Sequence, residues 1–551
     1  MAPQDAVLYL WVDAICINQA DLDERASQVA LMARIYSECE RTIIWLGPED
    51  DNSHVAIRLI QTSEGYTQAK NRLGPELVRQ HNDYWKARLE ADVKHGVDPY
   101  VVLGTFMNRN WFHRTWTLQE LILPPTVVFW CGYLDFSPEQ LLGSIRRFSM
   151  TDPEAHIRQD NLDPIAFGPH KGSLRVQLSN TYHRSALTYI TKTESSRISN
   201  STAVSLARVR NSFDKRDHIY GMAGITGVDV PIDYRKPVAE VFTEFALASA
   251  NIDGFNPENI EHRSKRQTPG LPSWVPDYAV AVGQWEFTSR GGNKIYYAGG
   301  GTGVQLMIST EPAILVVNGK VVDSVKHVVG RYRDINSGVF FVDCCAGLDA
   351  LPKADVENIG HQTLIEMFWR TLIIDNFYQR KPEAEVFGPS FALVMRFYLA
   401  KWLSHLGPDE LREGQRLKEN LESLARKEPS STHLPTWSEV EATAAKFATA
   451  VDLSDILDEV ERATQWVYLD HLRDFFTDRC FFVTNDYRMG IGPDDLEPGT
   501  CVTVVEGCQY PWLLEEADTG GRYRLAGYAY VQGIMYGEEY VESAMVRIEI
   551  E

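Results

Sequence analysis

The order of apolar and polar positions at the N-terminal end of the chain predicts strand, loop, helix and strand. Leu8–Val12 is an unbroken apolar run, long enough for a buried strand. A polar loop follows, Asp13-Ala-Ile-Cys16-Ile-Asn18-Gln19. Asp21 then stands as an N-cap, and Glu24 makes a capping-box pair with it. Leu22, Ala26, Val29, Ala33 and Tyr36 recur at helical spacing, with Met32 and Ile35 widening the stripe. Thr42–Leu46 is β-branched and apolar, and Gly47-Pro48 stops it. Two apolar strands joined by a helix predict a right-handed βαβ unit with parallel strands.

Further on, the stretch from Ser53 to Lys94 reads as a polar helical insertion. The block NRNWFHRTWTLQELILPPTVVFWCG starts at Asn108. In it, Arg114–Leu123 fits a short helix ended by Pro124-Pro125, and Thr126–Cys131 fits another buried strand. From Gln140 to Trp466 the pattern is mainly helix and loop. From Asp478 it changes to short apolar runs separated by Gly, Pro and Asp turns, which predicts a small antiparallel β subdomain. The expected organisation is an α/β domain over 1–139, a mainly helical middle region over 140–470 and a β-rich subdomain over 471–551.

Composition narrows the class. A chain of 551 residues exceeds a single hydrophobic core. Its 44% hydrophobic and 23% charged residues are those of a globular protein. The net charge of -21, from 75 acidic against 54 basic residues, opposes nucleic acid and anionic membranes as partners. Eight cysteines occur without a CxxC pair, which reads as reduced thiols in a cytoplasmic protein, with Cys16 a buried structural one. No run approaches the ~20 apolar residues of a membrane span. There is no HExxH or paired cysteine pattern for a metal, and no G-x-S-x-G elbow. GGGTG at Gly299–Gly303 reads as a turn rather than a phosphate loop.

Several blocks resemble one family. WVDAICINQ, a helix ending in ARIYSECERTIIWLG, and WFHRTWTLQEL are similar to the fungal heterokaryon-incompatibility (HET) domain. RDHIYGMAGI, LPSWVPDY and the closing RCFFVTNDYRMGIGP, GTCVTVVEGCQYPWLL and LAGYAYVQGIMYGE resemble later blocks of full-length members, so the likeness spans most of the chain. The resemblance implies a fungal cytoplasmic protein of self/non-self recognition, in which incompatible partners trigger cell death. It also implies a flavodoxin-like parallel sheet related to TIR domains, some of which cleave NAD+ with a glutamate in a WC-x-x-E-L motif. Trp116-Thr-Leu-Gln-Glu120-Leu is similar to that motif, with Thr117 in place of the cysteine, so the likeness puts the catalytic acid on Glu120. HET domains usually begin with a strand ending in an SYtWG block. This chain starts about seven residues before its first apolar run, so that block is expected to be absent, whether by truncation or loss.

In an open α/β sheet, ligands bind beyond the carboxyl ends of the strands, where Asp13–Gln19 and Gly47–Asp50 are expected. Asp13, Asn18 and Gln19 are candidates for binding the ribose or amide of a nucleotide. Asp13 and Asn18 are equally suited to capping and turning the loop. Glu120 is a candidate for stabilising the cation of glycosidic cleavage, and equally for an ion pair with Arg114. Arg114 and Arg109 suit a diphosphate, and Trp111, Phe112 and Trp116 suit stacking or core packing. Two function classes therefore stand. One is an incompatibility protein acting by NAD+ hydrolysis, with NAD+ as substrate and no bound cofactor. The other is a non-catalytic association module or inactive paralogue, including an accessory role beside a metabolite gene cluster. The expected partners are proteins of the incompatibility system, with a homo-oligomer left open.

Overall fold

The computed structural model describes residues 9–50, 52–62, 99–150, 200–253, 260, 265–280, 295–301, 307–309, 314–352, 362–377, 380–428, 433–447, 449–450, 455–518 and 520–551. The later part of the expected polar insertion, 63–94, lies outside them. The chain divides into two compact units. The first is Met1–Asp253 with Gln267–Leu271 and Asp277–Ala281. The second is Gly254–Arg266, Pro272–Pro276 and Val282–Glu551.

The described elements of the first unit begin with α1 (Asp13–Cys16), α2 (Leu22–Glu38), β1 (Thr42–Trp45), α3 (Ser53–Gln61) and α4 (Pro99–Met107). After a 3₁₀ turn at Asn110–His113 come α5 (Thr117–Ile122), β2 (Val127–Cys131), β3 (Leu134–Phe136) and α6 (Pro138–Met150). The last are α7 (Asn200–Arg208), α8 (Asp217–Thr226) and α9 (Val238–Asp253). α2 starts at its predicted cap: the Asp21 carboxylate accepts the amides of Asp23 and Glu24 at 3.0 and 3.2 Å. Glu24 reaches back to the Asn18 amide at 2.9 Å and so pins the preceding loop. β1 pairs in parallel with β2, Thr42 against Val127 through Trp45 against Trp130, and β3 adds antiparallel to β2. The pleat turns Ile44, Phe129 and Phe136 inward. Phe129 stacks on Phe136 at 4.9 Å and on Phe112 at 6.3 Å. Ile43, Trp45 and Trp130, on the opposite face, are exposed.

Two sequence expectations change here. Residues 9–12 form no strand, and none of the described strands pairs with them. Tyr9 and Leu10 are 88% and 68% exposed, and the chain turns at once into α1. An apolar run becomes a strand only where a neighbour satisfies its backbone groups; here Trp11 packs edge-on to Tyr36 at 5.9 Å, and the Val12 carbonyl accepts the Ile15 and Cys16 amides of the following turn. The parallel partner of β1 is thus β2, and among the described residues the sheet of this unit has three strands, a parallel pair as expected and an antiparallel third. Cys16 is exposed, not buried, because the one-turn α1 puts Ile17 rather than Cys16 inside.

In the second unit the described helices are α10 (Val339–Asp349), α11 (Leu364–Leu372), α12 (Ala384–Ser404), α13 (Leu411–Lys427), α14 (Trp437–Phe447) and α15 (Glu459–Phe476). The strands are β4 (Met307–Ser309), β5 (Ile314–Arg331), β6 (Arg479–Thr484), β7 (Met489–Pro493), β8 (Cys501–Val505), β9 (Trp512–Glu516), β10 (Tyr523–Tyr528), β11 (Tyr530–Val531) and β12 (Val546–Ile550). β5, β12, β10, β9 and β8 close on themselves, since β5 pairs both β12 and β8. The far end of β5 pairs β6, which continues to β7 and β11. The C-terminal strands expected from Gly/Pro punctuation are therefore present, almost all antiparallel. Their organiser is β5, which lies in the region expected to be mainly helical. The turn expected at Gly299–Gly303 begins with Gly300 and Gly301 at positive φ; 302 and 303 lie outside the described residues.

Candidate functional site

Five chain segments of the first unit converge on Glu120. The short α5 is positioned by Thr117, whose hydroxyl donates to the Arg114 carbonyl at 2.6 Å, and by the buried Leu118 and Leu121. Pro124 follows immediately and stops the helix. Glu120 lies in its first turn, where the helix dipole favours negative charge. Its Oε2 accepts the Trp111 indole N–H at 2.6 Å. Trp111 is itself fixed edge-on to Phe112 at 5.3 Å and Phe129 at 5.2 Å. The tryptophan is thus both core and carboxylate partner.

The surroundings of Glu120 are charged. Burial pushes its carboxyl above the usual carboxylate range; the Trp111 hydrogen bond and the positive Arg114 oppose this, Asp13 adds to it, and Arg210 opposes it. Burial likewise raises the Tyr36 phenol, helped by Glu120 and Asp13 and opposed by Arg114. Asp13, Tyr36, Arg114, Glu120 and Arg210 are therefore one electrostatic cluster. Arg114 is exposed, and no ion pair to its guanidinium is found among the described residues. Asp13 is half-buried, and its Oδ1 accepts the adjoining Ala14 amide at 2.7 Å. An exposed guanidinium, a half-buried carboxylate and a deeper carboxyl whose pKa burial raises suit a ligand carrying both an anionic group and a polyol.

The other expected residues sit differently. The Asn18 Oδ1 accepts the Ala20 amide at 3.2 Å, a local turn, and both Asn18 and Gln19 are exposed. Trp116 helps hold the Asp217 carboxyl down against the rise that burial imposes. Asp217 accepts the Tyr234 hydroxyl at 2.7 Å and Arg25 at 3.2 Å, and Arg25 lies 3.7 Å over the Tyr234 ring. Arg109 is spent on the loop after β1: it donates to the Leu46 and Pro48 carbonyls, to Asp50 at 2.7 Å and to Ser53 at 2.8 Å. Tyr36 and Arg210 were missed by the sequence. Tyr36 was visible only as a member of the α2 stripe, and Arg210 lies just ahead of the RDHIYGMAGI block without any periodic signal. Among the described residues no three His, Cys, Asp or Glu side chains are placed to hold a metal, and no helix is long and apolar enough to cross a membrane.

Residues 1–120, which hold every site residue expected from the sequence, match the family model described as heterokaryon incompatibility protein (HET). The chain thus resembles heterokaryon incompatibility proteins, with the HET match at its N-terminal end. Residues 409–544 match a second model, the Het-6 β-barrel domain. β5, which closes the strands of that region, lies ahead of the matched span. The chain is 24% identical to heterokaryon incompatibility protein 6, OR allele, of Neurospora crassa, over 96% of this chain and 81% of that protein. No solved structure matches it. The Glu120 cluster also draws on Arg210, beyond the residues matched by the HET model.

Proposed function

We propose that this protein is a cytoplasmic self/non-self recognition and cell-death protein whose HET unit, TIR-like in mechanism, hydrolyses NAD+. The observation that supports the reading is the mutual electrostatic influence of Asp13, Tyr36, Arg114 and Glu120, with Arg114 exposed and Asp13 half-buried. In the reaction the bond between nicotinamide nitrogen and ribose C1′ breaks, and its electron pair leaves with nicotinamide. The Glu120 carboxylate stabilises the ribosyl cation, and water then adds at C1′ and loses a proton, giving ADP-ribose. A pyridinium leaving group needs no general acid. Asp13 would hold ribose hydroxyls and Arg114 the diphosphate. Asn18, Gln19 and Trp116 would shape the rim.

The test is nicotinamide release from NAD+ by the purified full chain. Glu120→Gln, of similar volume, should lose at least about 100-fold in rate. Equal release by wild type and variant refutes the assignment.

A second reading, a non-catalytic association module, is favoured by one observation. Ile43, Trp45 and Trp130 place an apolar face in solvent, and Tyr133 beside them is fully exposed. In that reading protein partners or a second copy dock there, and toxicity survives Glu120→Gln.

A further inference from the structure

We propose that Arg210 is a positioning residue of the Glu120 site: it fixes the turn that carries Arg114 and Glu120, and it supplies a buried positive charge facing the Glu120 carboxylate. The inference rests on the reading of Glu120 as the working carboxylate. It extends the site to residues about ninety positions downstream.

Arg210 is 6% exposed. Its Nη1 donates to the Phe112 carbonyl at 3.0 Å, the Arg114 carbonyl at 3.5 Å and the Thr117 hydroxyl at 3.1 Å. Those three acceptors line the turn between Trp111, which holds Glu120, and the start of α5. Thr117 both accepts from Arg210 and donates to Arg114, so its hydroxyl links the guanidinium to the helix start. The neighbouring backbone repeats the clamp: Asn211 donates to the His113 carbonyl at 2.5 Å and accepts the Thr115 amide at 3.2 Å, and Ser212 donates to the Thr115 hydroxyl at 2.7 Å.

Stapling a turn does not require a charge. A buried guanidinium bound only to neutral oxygens bears a desolvation cost that carbonyls offset in part. Among the described residues its Nε has no hydrogen-bond partner, and no carboxylate lies within ion-pair distance of it. Burial draws Arg210 down to about 10, and the opposing influence comes from Glu120. The groups facing Glu120 are Asp13 from α1, Tyr36 from α2, Trp111 from the 3₁₀ turn, Arg114 beside it and Arg210. Of the two cations, only Arg210 is shielded from solvent and salt.

The test reads Glu120 directly. The Trp111 indole N–H bonded to Oε2 reports its ionisation as a pH-dependent NMR shift in full-length protein labelled at tryptophan, with Trp111→Phe assigning the signal. The step should vanish in Glu120→Gln. In Arg210→Gln its midpoint should move to higher pH by about one unit, and Arg210→Lys should restore most of it. If Arg210→Gln fails to fold, Arg210→Met, which better fills the buried site, is read in the same way. An unmoved midpoint in either folded neutral variant overturns the proposal. So does failure of lysine to restore it, since a purely structural staple would make lysine as poor as glutamine. Wild-type protein that consumes no NAD+ refutes the enzymatic reading without altering this titration.

Discussion

Replacing Trp111 by phenylalanine isolates the hydrogen bond that holds Glu120. The bond is 2.6 Å long and ends on a carboxylate that burial has pushed above its ordinary range. Phenylalanine retains an aromatic ring against Phe112 and Phe129 but removes the donor. A hydrogen bond to a charged group contributes about 1.5–3 kcal/mol, and one to the neutral acid about 0.5–1.5 kcal/mol. The substitution should therefore cost about 1–1.5 kcal/mol more where Glu120 is ionised than where it is protonated, roughly a tenfold difference in unfolding equilibrium. The sign follows from linkage. A carboxyl raised in the folded state contributes stability that is fully present below its unfolded pKa and lost as pH rises through the folded one. Removing Trp111 raises the folded value further, so the stability of the variant falls more steeply with pH. The assay is urea-dependent hydrogen exchange of amides in 111–131, which reports the first unit, at pH 5 and pH 8 for both proteins. Equal losses at the two pH values would refute the reasoning, as would a pH-dependent loss that persists in a Glu120→Gln background.

Three further outcomes are expected. Gly224 lies in α8 where it meets α2, and a Cβ there would collide with that of Ala33, so Gly224→Ala should destabilise the first unit by about 1–3 kcal/mol by thermal melt despite the better helix former. Arg109→Met strips the loop after β1 of donors to Leu46, Pro48, Asp50 and Ser53, and should cost about 2 kcal/mol and expose the β1 amides to exchange. In the second unit Arg370 and Asp375 form a buried pair at 2.7 Å, with Asp375 at φ +47°. Asp375→Ala, which leaves Arg370 only its Glu366 partner at 2.8 Å, should cost about 1–3 kcal/mol in urea unfolding. Asp375→Asn, which tolerates that backbone conformation, should cost less.

Locally determined features were legible in the chain. The Asp21 cap of α2 depends on residues within a turn of it, and β1 and β2 are short β-branched runs closed by Gly-Pro or preceded by Pro-Pro. Features that depend on distant partners were not. Residues 9–12 have the composition of a strand but no neighbour to pair with. β5 reads as interrupted, because Gly319, Asp323 and Lys326 break its apolar run, yet it pairs with β12, β8 and β6 and absorbs the irregularity in register shifts. At the site, Glu120 was marked by a motif, whereas Arg210 meets backbone carbonyls almost a hundred residues away and leaves no trace in spacing. Asn18 shows the reverse: a loop amide next to a suspected site, whose side chain turns its own loop.

The central claim is that Glu120 makes the HET unit consume NAD+. The direct measurement is cellular NAD+ in yeast expressing the full chain, wild type against Glu120→Gln at matched protein level, with viability followed in parallel. The account predicts NAD+ depletion and loss of viability with the wild type and neither with the variant. Undiminished NAD+ in cells killed by the wild type, or equal killing by Glu120→Gln, would contradict it.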